Sequence, residues 1–346
     1  SGPRLGVLAT GEGLAVVSLS DPANPSAEGF FDSPGFAESV AVADTRAYLA
    51  DGDSGLQIVD FTDPAHPAAV GSIDTPGYAI DVAVAGTESY VADGDGGLRI
   101  VDVSNPASPA LSGMLNTHGY VQTVAWGDGP VYFAESSGGL RVANVSNPMT
   151  PTDDGFWSAP GYVEGVATKD SFVYLADGDG GLRVIDLSNP AKPVQTSFVD
   201  TPGYAEAVTV VENIAYVAAA DAGVRIVDVS NPVAPAEIGS VDTPGRATGV
   251  TVVGELAYVA DQEAGLRIVD VSNPATPVEL GFLLMPFNAE NVTVDGTKAY
   301  VADGPGGLRI VDVSNPAAPV EVGSFRARRD AFDVAVRGGI AYVAFG

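Results

Sequence analysis

The sequence predicts an all-β protein, an eight-bladed β-propeller with four antiparallel strands per blade, and three observations carry that prediction. One motif recurs eight times at a constant interval of 42 residues. Each interval holds four short β-prone segments separated by turn residues. The two ends of the chain occupy the same position in the repeat, so they can combine within one blade.

The motif opens on a glycine at positions 13, 55, 97, 139, 181, 223, 265 and 307. Its third copy runs Gly97-Leu98-Arg99-Ile100-Val101-Asp102-Val103-Ser104-Asn105-Pro106. Around it the sequence predicts strands over 79–84, 89–92, 98–103 and 110–115. Ala85-Gly86-Thr87, Asp93-Gly94-Asp95-Gly96-Gly97, Ser104-Asn105-Pro106 and Asn116-Thr117-His118-Gly119 separate them. Glycine supplies positive φ in such turns, and proline presets its own φ. Four strands on about 40–50 residues make a propeller blade, whose two apolar faces are buried only by neighbouring blades. A parallel β-helix is the rival architecture. Its coils are shorter, and hairpin-type turns argue for antiparallel pairing. Residues 1–346 are therefore expected to form one domain. In its closing blade the N-terminal segment supplies the outer strands and residues 331–336 and 340–344 the inner ones. The C-terminal copy carries the tyrosine of the second-strand position, Tyr342, where the N-terminal copy has Gly6, so the C-terminal strand is expected to fill that place.

Composition narrows the function classes. Sixteen basic against 44 acidic residues leave a formal net charge of −28. Such an acidic protein repels phosphate backbones and anionic headgroups, so neither nucleic acid nor direct membrane insertion is expected. Cysteine is absent, which removes disulfides, thiol catalysis and thiolate metal sites. A chain of this length can bury enough apolar surface without such staples. The opening Ser1-Gly2-Pro3-Arg4 is expected to be a mature terminus rather than a signal peptide.

The run Gly-Leu-Arg-Ile-Val-Asp-Val-Ser-Asn-Pro, preceded by Ala-Tyr-Val-Ala-Asp-Gly, resembles the LVIVD-repeat family over essentially the whole chain. The resemblance implies a β-propeller module of an exported or surface-anchored protein, with an extracellular or cell-surface location, and hands over no active site. Two copies depart from the motif, the first with Ala15 and Ser18 and the fourth with Ala143 and Asn144.

Positions that are uniform among copies are expected to build blades. Tyr48, Tyr90, Tyr132, Tyr174, Tyr216, Tyr258, Tyr300 and Tyr342 share one slot, expected to pack between blades. The arginines 99, 141, 183, 225, 267 and 309 are expected to bond from blade to blade. The aspartates 60, 102, 186, 228, 270 and 312 are expected to hold amides of the Ser-Asn-Pro turn. Positions that differ among copies are candidates for binding. Phe36, Tyr78, Tyr120, Tyr162 and Tyr204 follow the Thr-Pro-Gly turn and are expected to ring part of the channel mouth, the slot continuing as Arg246, Asn288 and Asp330. Two residues on stand Glu38, Ile80, Gln122, Glu164, Glu206, Thr248, Glu290 and Phe332. Leu284-Met285-Pro286-Phe287 and Arg326-Ala327-Arg328-Arg329 replace the usual turn. Aromatic faces beside carboxylates suit a glycan, a peptide or protein, or a cationic small molecule. The competing account is that channel-mouth residues vary because solvent tolerates it. The stretch from Tyr204 through Arg246 and Asn288 to Asp330, where aromatic gives way to polar, is the sector of first interest.

Asp51, Asp53, Asp93, Asp95, Asp177 and Asp179 frame Asp-Gly-Asp loops. Oxygen ligands on a glycine-bent loop invite calcium, whereas Asp-Gly is also ordinary hairpin chemistry. No other cofactor is expected. His66 and His118 are isolated, and no Ser/His/Asp set or phosphate loop is present. The expectation is thus a non-catalytic extracellular interaction module. The alternatives are a glycosidase or lyase using channel carboxylates such as Glu164 and Glu206, or a surface-layer or filament component.

Overall fold

A computed structural model describes residues 5–10, 13–18, 26–117, 119–126, 129–135, 139–190, 192–326, 331–337 and 340–345; the side chains of 5–10, 332, 333 and 335–345 lie outside the description. Every regular element in it is a β-strand. No helix is long and apolar enough to cross a membrane.

Seven sheets have four strands each, joined as antiparallel meanders. Sheet 1 comprises Ser39–Ala43, Arg46–Ala50, Leu56–Asp60 and Ala68–Ile73, and sheet 2 Asp81–Ala85, Glu88–Ala92, Leu98–Asp102 and Ala110–Leu115. Sheet 3 holds Val121–Trp126, Pro130–Glu135, Gly139–Asn144 and Thr152–Trp157, and sheet 4 holds Gly165–Lys169, Phe172–Ala176, Leu182–Asp186 and Val194–Val199. Sheets 5, 6 and 7 repeat the plan from Ala207–Val211, Gly249–Val253 and Asn291–Asp295. The eighth sheet departs from the expected four strands. It has five, in the order Ser26–Asp32, Gly13–Ser18, Leu5–Thr10, Ile340–Phe345 and Ala331–Arg337. Both candidates for the second-strand position are thus present side by side, meeting in parallel at Ala9 and Ala344. The side chain of Tyr342, which was expected to decide between them, lies outside the described residues.

Local chemistry accounts for these boundaries. The first strand of sheet 2 starts two residues later than the sequence suggests, because Ala79 is used elsewhere. Its N–H and C=O bond the C=O and N–H of Gly52, in the hairpin loop of sheet 1, at 3.0 Å each. The same bridge joins Gly94 to Val121, Gly178 to Ala205 and Ala220 to Ala247. The described hairpin loops of sheets 1, 2 and 4 to 7 therefore each hand a backbone bridge to the next sheet. The third and fourth strands shift register at one place, between Ile100 and Val101 in sheet 2 and at the equivalent residues of the others, a bulge that adds twist at the outer edge.

The core lies between sheets. Tyr48, Leu56 and Ile58 of sheet 1 pack on Val82, Val91 and Val101 of sheet 2, and Tyr90, Leu98 and Ile100 pack on Val124, Val131 and Phe133 of sheet 3. The described tyrosines of this slot are buried in such clusters, with Tyr132 only partly so. The strand Gly13–Ser18 is covered on both faces. Leu14 and Val16 pack on Ala37, Leu49 and Val59 of sheet 1, while Ala15 and Val17 pack with Tyr300, Leu308 and Ile310 of sheet 7. First strands of neighbouring sheets also lie against one another, from sheet 1 to 2, 2 to 3, and from 4 through 7 to Ala331–Arg337; neither those of sheets 3 and 4 nor Ala331–Arg337 and the first strand of sheet 1 join this series.

Candidate functional site

The face bearing the Thr-Pro-Gly turns is built from the hairpin aspartates upward. Asp93 is fully buried. Its Oδ1 accepts from the Thr75 hydroxyl at 2.5 Å, and its Oδ2 from the Gly77 N–H at 2.9 Å and Arg99 Nε at 3.3 Å. Asp51, Asp177, Asp261 and Asp303 repeat this clamp on the turn before the aromatic slot. Burial pushes these four carboxyls above the usual aspartate range, and the hydrogen bonds of the clamp oppose it. The second aspartates, Asp53, Asp95 and Asp179, are exposed. The two carboxylates of a loop thus face different surroundings, and among the described residues no three His, Cys, Asp or Glu side chains gather as a metal site would need.

The clamped turn delivers the aromatic slot onto the preceding hairpin. Gly52, Gly94 and Gly178 have φ of +54°, +53° and +50°. A Cβ added to them would stand 2.9 Å from the ring of Tyr78, 2.9 Å from that of Tyr120 and 2.7 Å from that of Tyr204. Each ring therefore lies against a residue without a side chain. Where the loop carries Ala220 or Gln262 instead, the facing slot is Arg246 or Asn288 and not aromatic. The correspondence holds for these five loops and not throughout the repeat, since Ser136 shares its unit with Tyr162 and Gly304 with Asp330.

The two variable slots meet across sheet boundaries. Tyr78 donates to Glu38 Oε1 at 2.8 Å, Tyr204 donates to Glu164 Oε1 at 2.7 Å, and Arg246 pairs with Glu206. Gln262 Nε2 donates to Glu290 Oε2 at 3.4 Å. Desolvation, then the adjoining carboxylate, pushes the Tyr78 and Tyr204 hydroxyls well above the ordinary phenol range. These two tyrosines stay neutral donors. In the stretch from Tyr204 to Asn288 the polar groups of Tyr204 and Arg246 are thus engaged by neighbours, Asn288 is exposed, and Asp330 lies outside the described residues. Phe36 is half-buried. At the corresponding offset of 40 residues Tyr120 and Tyr162 have Ile80 and Gln122 in place of a carboxylate, and they stand 36% and 59% exposed. Gln122 and Glu164 are exposed beside them. The open part of the face is therefore Tyr120, Gln122, Tyr162 and Glu164.

Behind this face runs a cavity of about 400 Å³, lined by first-strand residues of five sheets, among them Val166, Thr209, Thr251, Thr293 and Val334. A second, mostly apolar cavity of about 250 Å³ lies between sheets 3 and 4. Glu164 and Val166 line both.

Other expected roles divide. Asp102 Oδ1 accepts from the Ser104 N–H at 2.8 Å, and Asp60, Asp186, Asp228, Asp270 and Asp312 do the same, as expected. Asn144 takes over the role in sheet 3. The arginines differ from expectation, since they bond within their own sheet. Arg183 reaches Asp177 and lies 4.8 Å over Phe198, and Arg267 reaches Asp261 and lies 4.6 Å over Phe282. The reason is register: Arg183 stands directly opposite Phe198 on the next strand of its own sheet. His66 is exposed and bonds Asp63 at 2.9 Å, while His118, Arg328 and Arg329 lie outside the described residues. Arg326 stacks 5.3 Å over Phe287. The tyrosine–carboxylate bonds were missed from sequence, although their offset of 40 residues, one repeat less two, recurs at Tyr78, Tyr204 and Arg246.

Three solved structures share the architecture. The computationally designed Ika8 protein superposes with a TM-score of 0.74 at 11% identity, over 90% of this chain and 93% of that one. Sqt1 of Saccharomyces cerevisiae gives 0.72 at 6% identity, over 89% and 93%. BamB from Moraxella catarrhalis gives 0.67 at 14% identity, over 90% and 94%. At such identities the likeness is one of fold alone, that of a β-propeller. The sequence has no match among curated proteins. The LVIVD repeat model matches residues 34–75, 76–117, 160–201, 202–243, 244–283, 288–327 and 328–346, passing over the two stretches that hold the divergent copies. With more than half of its length matched, this chain belongs to the LVIVD repeat family.

Proposed function

We propose that the eight sheets close into one ring and that the ring is a non-catalytic interaction module, extracellular or at a cell surface. It binds a glycan, peptide or small ligand through the face of the Thr-Pro-Gly turns. Closure is supported by the strand Gly13–Ser18, whose two faces pack on sheets 1 and 7. The observation that carries the binding reading is the break in the tyrosine–carboxylate belt at Tyr120, Gln122 and Tyr162. There two aromatic faces stand open with a carboxamide and a carboxylate between them. Aromatic faces recognise sugar rings and cationic groups, and the neighbouring polar side chains fix orientation. The carboxylates that would serve a glycosidase, Glu164 and Glu206, each bond a neighbouring side chain, which favours binding over that alternative.

The test is a glycan and peptide array probed with the parent protein, Tyr162→Ala and Tyr204→Ala. Tyr162→Ala is expected to lose the signal and Tyr204→Ala to weaken it through the released Glu164. Equal binding by all three refutes the reading.

A further inference from the structure

The junction of sheets 3 and 4 is built differently from those on either side of it, between sheets 2 and 3 and between sheets 4 and 5. Along the first strands, one slot ties neighbours together: Asp81 accepts from Ser39 of sheet 1 at 2.7 Å and from Thr123 of sheet 3 at 2.9 Å. The next residues in that slot, Gly165, Ala207 and Gly249, offer no side chain to continue the chain of bonds, and the first strands of sheets 4 to 7 pack on one another without it. Gly165 instead sits so close to sheet 5 that an added Cβ would be 2.9 Å from Ala207 Cα. The first strand of sheet 4 thus leans towards sheet 5 and away from sheet 3.

Three side chains register the gap. Val82, Val124, Val208, Val250, Val292 and Val334 are buried, whereas Val166 in the same slot is 40% exposed. Tyr132 is the partly buried member of its slot. Thr168 stands where sheets 1, 2, 5, 6 and 7 have valine, and it is exposed in the cavity. The outcome is the 250 Å³ cavity, walled by Phe133, Leu140, Val163 and Leu175, with Glu164 at its rim. Tyr204 engages Glu164 Oε1, and no described residue bonds Oε2. One wall is formed by Thr123, Ala125, Tyr132, Phe133, Ala134 and Leu140 of sheet 3.

We propose that this cleft is a binding pocket for a compact apolar molecule carrying one cationic group. An apolar cavity of about 150 Å³ suffices for benzene, so 250 Å³ holds a phenyl ring with a short amine tail. The apolar walls take the ring. Glu164 receives the ammonium, and the net charge of −28 draws cations and repels anions. This pocket is distinct from the open face, with which it shares only Glu164.

Titration calorimetry with 2-phenylethylamine tests the proposal, with 3-phenylpropionate as the anionic counterpart. The amine is expected to bind one-to-one and the carboxylate not at all. Glu164→Gln is expected to weaken the amine roughly tenfold or more, as loss of a charge-assisted hydrogen bond does, and Val166→Phe to abolish binding by filling the cleft. Should Val166→Phe fail to fold, Ala125→Leu narrows the cleft from the opposite wall and carries the same expectation. Tyr162→Ala is expected to leave amine binding unchanged, which separates this pocket from the face. No binding of the amine, equal binding of the carboxylate, or binding that survives Val166→Phe but not Tyr162→Ala overturns the proposal.

Discussion

Replacing Asp93 by alanine is expected to cost far more than replacing Asp51, although the two residues occupy the same slot and both are fully buried. Each carboxylate clamps the turn that follows the preceding sheet. Asp51 accepts from the Ser33 hydroxyl and the Gly35 N–H, and Asp93 from the Thr75 hydroxyl and the Gly77 N–H. The difference lies six residues on. Gln57 satisfies itself on the Ser54 carbonyl, whereas Arg99, whose side chain is 5% exposed, is paired with Asp93. Asp51→Ala therefore removes two hydrogen bonds from part-buried neutral donors, at about 0.5–1.5 kcal/mol each and about 1–3 kcal/mol together. Asp93→Ala leaves a buried guanidinium without its counter-ion, about 3–5 kcal/mol.

For 346 residues the unfolding entropy is about 0.7 kcal/mol/K, so these costs correspond to roughly 1–4 °C and 4–7 °C in Tm. Asp95→Ala, at the exposed end of the same loop, is the control and is expected to leave Tm within about 1 °C, as surface substitutions do. Scanning calorimetry of the three variants beside the parent measures all of this. Equal shifts for Asp51→Ala and Asp93→Ala, or a shift for Asp95→Ala as large as that of Asp93→Ala, would show that the clamp and its arginine do not carry the stability assigned to them.

Three further outcomes follow from the same geometry. Gly178→Ala puts a Cβ against the Tyr204 ring at positive φ and is expected to destabilise by about 1–3 kcal/mol; urea unfolding of Gly178→Ala, Tyr204→Ala and the pair should give a double-mutant loss smaller than the sum. The Asp102 carboxyl is held below its usual range by the Ser104 hydroxyl and then its N–H, so it stabilises above the unfolded-state pKa and loses that contribution as the pH falls through the folded value. The stability penalty of Asp102→Ala should accordingly be present at neutral pH and vanish in acid; a penalty that grows on acidification is the contrary result. Deleting residues 331–346 should abolish the main cooperative melting transition if the ring closes through the eighth sheet, and an unchanged transition would argue against closure.

Much of the fold was legible because a repeat displays its own alignment. Eight copies at a 42-residue interval expose which positions are uniform, and short strands with glycine and proline turns admit few architectures. The Ser-Asn-Pro turn was legible for the same reason, since Asp102 and Ser104 N–H are two residues apart and their bond depends on local geometry alone. The arginines were harder to place. Their partners Phe198 and Phe282 stand opposite only once strand register is set, and uniformity across copies does not distinguish a bond within a sheet from one between sheets.

The sequence by itself determined the strands, the repeat and the candidate belt of Phe36, Tyr78, Tyr120, Tyr162 and Tyr204, because hydrogen-bonding capacity, turn chemistry and apolar alternation are local properties. Only the tertiary structure decided which of these side chains stay open. Whether Tyr162 stands exposed while Tyr204 is bonded depends on a residue 40 positions earlier in a different sheet, Gln122 in one case and Glu164 in the other. The cleft between sheets 3 and 4 follows the same logic. Gly165 has no side chain to reach Thr123 and its strand lies against Ala207, and a choice between two neighbours exists only when both are in place.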